Sequence, residues 1–124
     1  MKKDLLRLAE HDPNVQYNLG LLFHHGQGVA RDPQEAKHWF EKAAEGGNVD
    51  AQLMLGILSE DPDLALEWLR RAARQDCASA QYRLGLLLRD DPVEARHWLR
   101  CAADQGLSGA QLALHELDAL SCDR

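Results

Sequence analysis

The sequence has no long hydrophobic run, although 45% of its 124 residues are hydrophobic. A helix that crosses a bilayer needs roughly 20 consecutive apolar residues, and no segment approaches that length. Near the start, Asp4, Arg7 and Glu10 interrupt the apolar run that a signal peptide would need. We therefore expect a soluble, cytoplasmic protein with no membrane contact, or a periplasmic or secreted one if a leader has been removed.

Cysteine is scarce and irregularly placed. Cys77, Cys101 and Cys122 are odd in number and far apart, without a C-x-x-C pair. This pattern argues against a disulfide framework and against a structural zinc site, so a reducing compartment is the simpler interpretation. We expect no cofactor.

The sequence also lacks a clustered basic segment. Its formal net charge is −6, with 27% charged residues of both signs, whereas nucleic-acid binding relies on lysines and arginines gathered on one face. Nucleic acid is therefore not an expected partner. The length and hydrophobic content fit one domain that folds around its own core.

Two short motifs recur in the same order along the chain. The first, Ala-Gln followed by Leu-Gly, lies at residues 51–56 and 80–85, in altered form at 15–20, and begins again at 110. Its glutamines are 36, 29 and 30 residues apart: Gln16, Gln52, Gln81 and Gln111. The second motif is Ala-x-x-Trp followed by an Ala-Ala pair, with its tryptophans at Trp39, Trp68 and Trp98. Two motifs in one register indicate an internal repeat.

Each tryptophan-bearing segment begins with an Asp-Pro pair, at Asp32, Asp61 and Asp91. Aspartate caps a helix well, and proline is favoured at the first helical position. Short polar or glycine-containing stretches end the same segments. The pattern predicts helices near residues 14–25, 33–45, 49–59, 62–75, 78–89, 92–105 and 108–120, after a leading helix near 3–10.

These helices predict an all-α fold, an α-solenoid of antiparallel helix pairs with about three and a half repeats. Residues 1–124 would form a single repeat domain. Residues 1–13 are expected as an N-terminal capping helix, 14–48, 49–77 and 78–107 as three repeats, and 108–124 as a C-terminal capping helix. Glu116 and Asp118 suit a last helix that faces water.

The combined pattern resembles the Sel-1-like repeat, a relative of the tetratricopeptide repeat. The first repeat matches almost completely, through Leu19-Gly20, Gly26, Gly28-Val29, Asp32, Ala36, Trp39, Ala43-Ala44 and Gly47. The second and third repeats keep both motifs but lack the Gly-x-Gly-Val loop, and the fourth copy has His115 in place of the motif glycine. The resemblance covers nearly the whole chain.

The resemblance implies a right-handed superhelix in which the first helix of each pair lines the inner face. It also implies a non-enzymatic adaptor that binds a protein or peptide, in bacterial signalling, regulation or host interaction, or in eukaryotic quality control. Some cysteine-rich bacterial members have been linked to β-lactam binding or hydrolysis. The chain lacks their paired repeat cysteines, which counts against that function.

The repeated residues themselves are expected to be structural. Trp39, Trp68 and Trp98 stand in register beside small alanines, as residues that pack between helices do, and we predict all three in the core. The repeated glycines lie inside helices, where glycine costs about 1 kcal/mol relative to alanine. They therefore predict close helix contact at Gly20, Gly56 and Gly85.

No residue pattern indicates catalysis or metal binding. The serines occur in neither S-x-x-K nor G-x-S-x-G, so we expect no enzyme. His24 and His25 are adjacent, and neighbouring side chains on a helix point about 100° apart, which does not favour one shared ion. Cys101 aligns with Lys42 and Arg71, which predicts a partly exposed thiol without a redox role.

The inner face carries the predicted binding site, an apolar strip with polar residues along one edge. Aromatic side chains on such a face would anchor an extended peptide or a partner helix. The predicted partner-binding residues are Asn14, Tyr17, Leu21, His24, Asp50, Leu53, Ile57, Ser79, Tyr82, Leu86 and Arg89. Two alternatives stay open: the aliphatic members pack between repeats, or the strip mediates self-association of a structural or regulatory subunit. We expect a monomer or a weak homodimer.

Overall fold

The computed structural model describes residues 7, 9–88 and 90–122, with side chains through residue 119. The described residues form seven α-helices and no strand, which confirms the all-α prediction. The helices are α1 (Pro13–His25), α2 (Pro33–Glu45), α3 (Val49–Leu58), α4 (Pro62–Arg74), α5 (Ala78–Leu87), α6 (Pro92–Asp104) and α7 (Ser108–Cys122). The leading helix predicted near residues 3–10, and with it most of the capping segment, lies largely outside the described residues.

The chain divides into two compact units, Met1–Ser59 and Glu60–Arg124, called unit 1 and unit 2 below. In unit 1, α1 packs on α2, and α2 packs on α3. In unit 2, α4 packs on α5, α5 on α6, and α6 on α7. Within the described residues, no helix is both long enough and apolar enough to cross a bilayer.

The Asp-Pro pairs begin helices as predicted. Asp32 and Asp91 each accept a hydrogen bond from the backbone N–H three residues later, at 3.2 Å. Asp61 accepts from the N–H of Asp63 instead, at 3.0 Å. A further pair, Asp12-Pro13, begins α1 in the same way and was missed in the sequence pattern.

The turn after the second helix of each pair, which is α2, α4 or α6, passes through the left-handed region of backbone space. Gly47 has φ of 98° and Gly106 has φ of 95° at this position, and the second repeat places Asp76 there with φ of 65°. Glycine adopts this conformation without a steric penalty, whereas a residue with a Cβ is strained by it. The second repeat therefore uses a less suitable residue for the same turn.

The deepest core positions are one residue beyond the tryptophans. Phe40, Leu69 and Leu99 are almost completely buried, and Trp39 is buried, but Trp68 and Trp98 are only half-buried. The prediction that all three tryptophans are core was therefore wrong for two of them. Cationic side chains also reach two of the tryptophans: the Arg71 guanidinium lies 4.8 Å from the Trp68 ring centroid, and the Lys42 ammonium lies 5.1 Å from that of Trp39.

The motif glycines allow these core residues to approach the first helices. A Cβ added to Gly20 would lie 2.5 Å from Phe40 Cε1, and one added to Gly85 would lie 2.6 Å from Leu99 Cγ. Both distances are far below a normal carbon–carbon contact of about 3.5 Å. The predicted close helix contact is thus confirmed at Gly20 and Gly85.

Candidate functional site

The repeated glutamines join each first helix to the segment before it. Their Nε2 groups donate to backbone carbonyls seven or eight residues earlier, on Ala9, Ala44, Ala73 and Ala103, at 2.6, 3.1, 3.1 and 3.2 Å. Gln16, Gln52 and Gln81 are buried. The last three acceptors are the second alanine of each Ala-Ala pair, near the end of a helix, where carbonyls lack intrahelical partners. The sequence located these glutamines but gave no role for them, and that role is structural.

The predicted binding residues of unit 1 lie on α1 and α3. On each helix they are three or four residues apart, which places them on one side of that helix. We call this set the unit 1 face: Asn14, Tyr17, Leu21, His24, Asp50, Leu53 and Ile57. Leu21, His24 and Leu53 are half-buried, while Ile57 is exposed. The unit 1 face therefore combines apolar and polar groups.

The polar edge of the unit 1 face is held by two asparagines. Asn48 Nδ2 donates to Asn14 Oδ1 at 2.8 Å, and Asn48 Oδ1 accepts from the backbone N–H of Ala51 at 2.8 Å, which caps α3. The first turns of α1 and α3 are therefore linked side by side. Asp50 lies in the first turn of α3 and is exposed.

Tyr17 lies one turn along α1 from Asn14 and is half-buried. Its ring centroid is 5.8 Å from that of Phe40, with the planes tilted by 41°. Burial, followed by the negative charge of Asp50, raises the pKa of the Tyr17 phenol above its usual value of 10.0. His24 lies further along α1, with its ring centroid 6.3 Å from that of the same Phe40. Both rings on α1 thus lean on one buried aromatic residue.

The predicted residues of unit 2 lie on α5, and we call Ser79, Tyr82 and Leu86 the unit 2 face. Ser79 and Leu86 are exposed, and Tyr82 is half-buried. Tyr82 packs with the cluster of Leu99, Ala102 and Ala110. A Cβ added to Gly109 would lie 2.9 Å from its Cε2 atom. Tyr82 therefore has a packing role between α5 and α7. The predicted residue Arg89 lies outside the described residues.

Unit 2 also contains an ion pair between second helices, which the sequence pattern did not reveal. Arg70 on α4 donates to the Glu94 carboxylate on α6, and Trp98 Nε1 lies 3.4 Å from the same carboxylate. The hydrogen bond from Arg70, with smaller help from Trp98, lowers the pKa of Glu94 below its usual value of 4.5. Both side chains are about one-third exposed, so this is a surface contact.

The described residues include no group of three or more histidine, cysteine, aspartate or glutamate side chains placed to hold a metal ion. One pair of potential ligands lies on α6, where Cys101 Sγ is 3.9 Å from His97 Nε2. Cys101 is half-buried, in agreement with the partial exposure predicted for it.

The chain belongs to the Sel1 repeat family. The family model, described as the Sel1 repeat, matches residues 13–48, 49–77 and 78–107. Sel1 repeat proteins are generally protein-interaction modules built on a helical solenoid fold. None of the curated proteins compared with this chain is significantly similar to it.

Fifteen solved chains are similar to this one, and two of them illustrate the likeness. One is a Sel1 repeat protein from Oxalobacter formigenes, with a TM-score of 0.85 and 32% identity, over 92% of this chain and 96% of that one. The other is c5321, a protective antigen of uropathogenic Escherichia coli strains that displays an SLR fold. It has a TM-score of 0.77 and 30% identity, over 85% of this chain and 25% of that one.

Proposed function

We propose that this chain is a non-enzymatic interaction module that binds a peptide or a partner protein on the faces of its first helices. The supporting observation is that these helices carry apolar side chains that their own unit leaves in contact with solvent. Ile57 is 41% exposed on α3, and Leu86 is 36% exposed on α5. Aliphatic and aromatic side chains at helical spacing form the surfaces that peptide and helix ligands use. We further propose a reducing, cytoplasmic location, since the cysteine spacing forms no disulfide framework.

The test is a pulldown from a lysate of the source organism with a face variant and a matched surface control. The face variant is Ile57→Asp with Leu86→Asp. The control is Leu64→Asp with Val93→Asp, because these residues lie on second helices and are 41% and 78% exposed. Each variant adds two negative charges at exposed aliphatic sites. Tyr82 is a poor choice for this purpose, since it also packs against Gly109.

We expect proteins captured by the wild type and by the control to be lost from the face variant. Circular dichroism should first establish that all three proteins are equally helical. Loss from both variants would point to charge or stability rather than to the first-helix faces. Equal capture by all three would contradict the proposed binding surface.

The second candidate function is self-association. It is favoured by an exposed aliphatic pair in each unit, Ile57 and Leu58 in unit 1 and Leu86 and Leu87 in unit 2. Exposed aliphatic clusters of this kind often mark protein contacts. Light scattering over a concentration series measures the mass directly. If the mass of the wild type doubles as its concentration rises, while the face variant keeps the mass of a monomer, self-association is favoured over a foreign partner.

A further inference from the structure

The first turns of α1 and α3 form a fixed polar corner in unit 1. The hydrogen bond between Asn48 and Asn14 joins the two turns, and the same Asn48 caps α3. Asp50 is the second residue of α3, two positions after Asn48, so it lies in the same turn as this joint. The hydrogen bonds that hold the two turns therefore also hold the backbone of Asp50 in place.

Tyr17 provides an aromatic wall for this corner. Phe40 supports the ring from within the core, at a centroid distance of 5.8 Å. The equivalent ring in unit 2, Tyr82, contacts the position of Gly109 on the following first helix. Gly109 and Asp50 occupy the same position of their repeats, two residues before the motif glutamine. The repeat geometry therefore places Asp50 where it borders the Tyr17 ring, in agreement with its electrostatic effect on the phenol.

A carboxylate beside an aromatic ring attracts cations. The carboxylate forms a charge-assisted hydrogen bond with a guanidinium or an ammonium group, and the ring face adds a cation–π attraction of about 0.5–1 kcal/mol at exposed sites. In the part of the chain that the structure describes, Asp50 forms no ion pair, unlike Glu67, Glu94 and Asp118. Its charge is therefore available to a partner.

Apolar side chains continue from the corner along both helices. Leu53 and Ile57 follow Asp50 at three and seven residues, on the same side of α3. Leu21 follows Tyr17 at four residues on α1 and is half-buried. A ligand that places a cation at the corner would therefore lay its next side chains on an apolar surface.

We propose that the unit 1 face binds a segment of a partner protein in which an arginine or a lysine lies next to apolar residues. The cation occupies the corner between Asp50 and Tyr17, and the apolar residues lie on Leu53 and Ile57. This inference rests on the proposed function and adds the chemistry of the partner. The net charge of −6 also favours a basic partner through long-range attraction.

The experiment selects a phage-displayed library of random dodecapeptides on the wild-type chain. Enriched peptides are synthesised, and their affinities are measured by fluorescence anisotropy for the wild type, Asp50→Asn, Tyr17→Leu and Ile57→Asp. The matched control is Asp63→Asn, because Asp63 is also an exposed acid at the second position of its helix, on α4. Each peptide is also made with citrulline, the neutral analogue of arginine, or with acetyl-lysine in place of lysine.

We expect the enriched peptides to share a basic residue beside apolar ones. Asp50→Asn should weaken their binding about fivefold, in line with the loss of about 1 kcal/mol for an exposed charged contact. The neutral peptides should bind the wild type as weakly as the basic peptides bind Asp50→Asn. The Asp50→Asn substitution should not weaken the binding of the neutral peptides any further. Asp63→Asn should leave all affinities unchanged.

The outcomes separate this inference from the proposed function. Peptides that need Ile57 but carry no basic residue would overturn the cation site and support binding on the unit 1 face. Equal weakening by Asp50→Asn and Asp63→Asn would also overturn the cation site and leave binding on the unit 1 face supported. Peptides that bind all variants alike, or the absence of any enriched peptide, would overturn both proposals.

Discussion

The two tyrosines of the chain occupy the same repeat position in different units, and their neighbours differ. In unit 1, the negative charge of Asp50 acts on Tyr17, whose ring packs near that of Phe40. In unit 2, Tyr82 lies against Gly109 and packs into the cluster around Leu99. The repeat thus sets where the ring lies, and one residue of the following first helix decides whether that place is charged or tightly packed.

The comparison holds only if the cores beneath the two rings are equivalent. Phe40→Ala and Leu99→Ala should each lower the free energy of unfolding by about 3–5 kcal/mol, since both remove an almost fully buried side chain from beneath a motif glycine. Urea unfolding measures both. Trp68→Ala is the control, because the half-buried Trp68 should cost less. A larger loss for Trp68 would contradict our placement of the deep core.

The second prediction concerns the glutamine joints and compares a buried one with an exposed one. Gln81→Ala should destabilise the chain by about 1–3 kcal/mol, because it leaves a buried carbonyl short of a hydrogen bond and opens a small void. Gln111 makes the same bond at 3.2 Å but is exposed, so Gln111→Ala should change stability by less than about 0.5 kcal/mol. Thermal or urea unfolding distinguishes the two, and equal losses would count against burial as the cause.

The third prediction uses the turn that differs between the repeats. Asp76→Gly should stabilise the chain by about 1 kcal/mol, since it relieves a left-handed backbone that Gly47 and Gly106 adopt freely. Asp76→Ala removes the same charge but keeps a Cβ, so it should bring no gain. If the alanine variant is as stable as the glycine variant, charge rather than backbone conformation explains the effect.

The smallest expected effect is the pH dependence of stability that Tyr17 causes. Its raised pKa means that the folded chain holds the phenol proton more tightly than the unfolded chain does. The associated stability is present below about pH 10 and is lost as pH rises through the folded-state value. Ultraviolet titration of Tyr82→Phe, which leaves Tyr17 as the sole tyrosine, reports this ionisation.

Asp50→Asn in the same background should lower the pKa of Tyr17, because it removes the neighbouring negative charge. Burial should keep the value above that of a free phenol. Asp63→Asn should leave the titration unchanged. An identical curve for Asp50→Asn and its parent would mean that Asp50 does not face the ring, which would also weaken the proposed cation site.

The sequence predicts the helices well because their signals are local. The Asp-Pro pairs and the recurring glutamines place seven helices to within about two residues of those observed. How deeply each large residue is buried, in contrast, has no local signal. Trp39 and Phe40 are adjacent large residues, and the helix rotation that turns one of them inward depends on packing across the pair. A tryptophan repeat is visible in the sequence, whereas the aromatic or leucine after it is not conspicuous.

The candidate site could be predicted only in part. Helical spacing identifies the side chains that share one side of α1 or α3. It does not show that Asn48 links the two helices, or that Tyr82 is committed to packing while Tyr17 borders a charge. Those properties depend on residues of the following first helix, such as Asp50 and Gly109, which are some 30 positions away in the sequence. Long-range pairing of this kind is not encoded in a local pattern.

The glutamine joints have a consequence for how such a chain can change its length. Each joint needs only a glutamine and a carbonyl seven or eight residues before it. A segment that is duplicated or deleted therefore carries both partners of the joint with it. The loop between the two helices of a pair takes no part in the joint. This accounts for a spacing of 36 residues in one repeat and 29 in the next without loss of register. Repeats of this design can be gained one at a time, each arriving with its own connection to the one before.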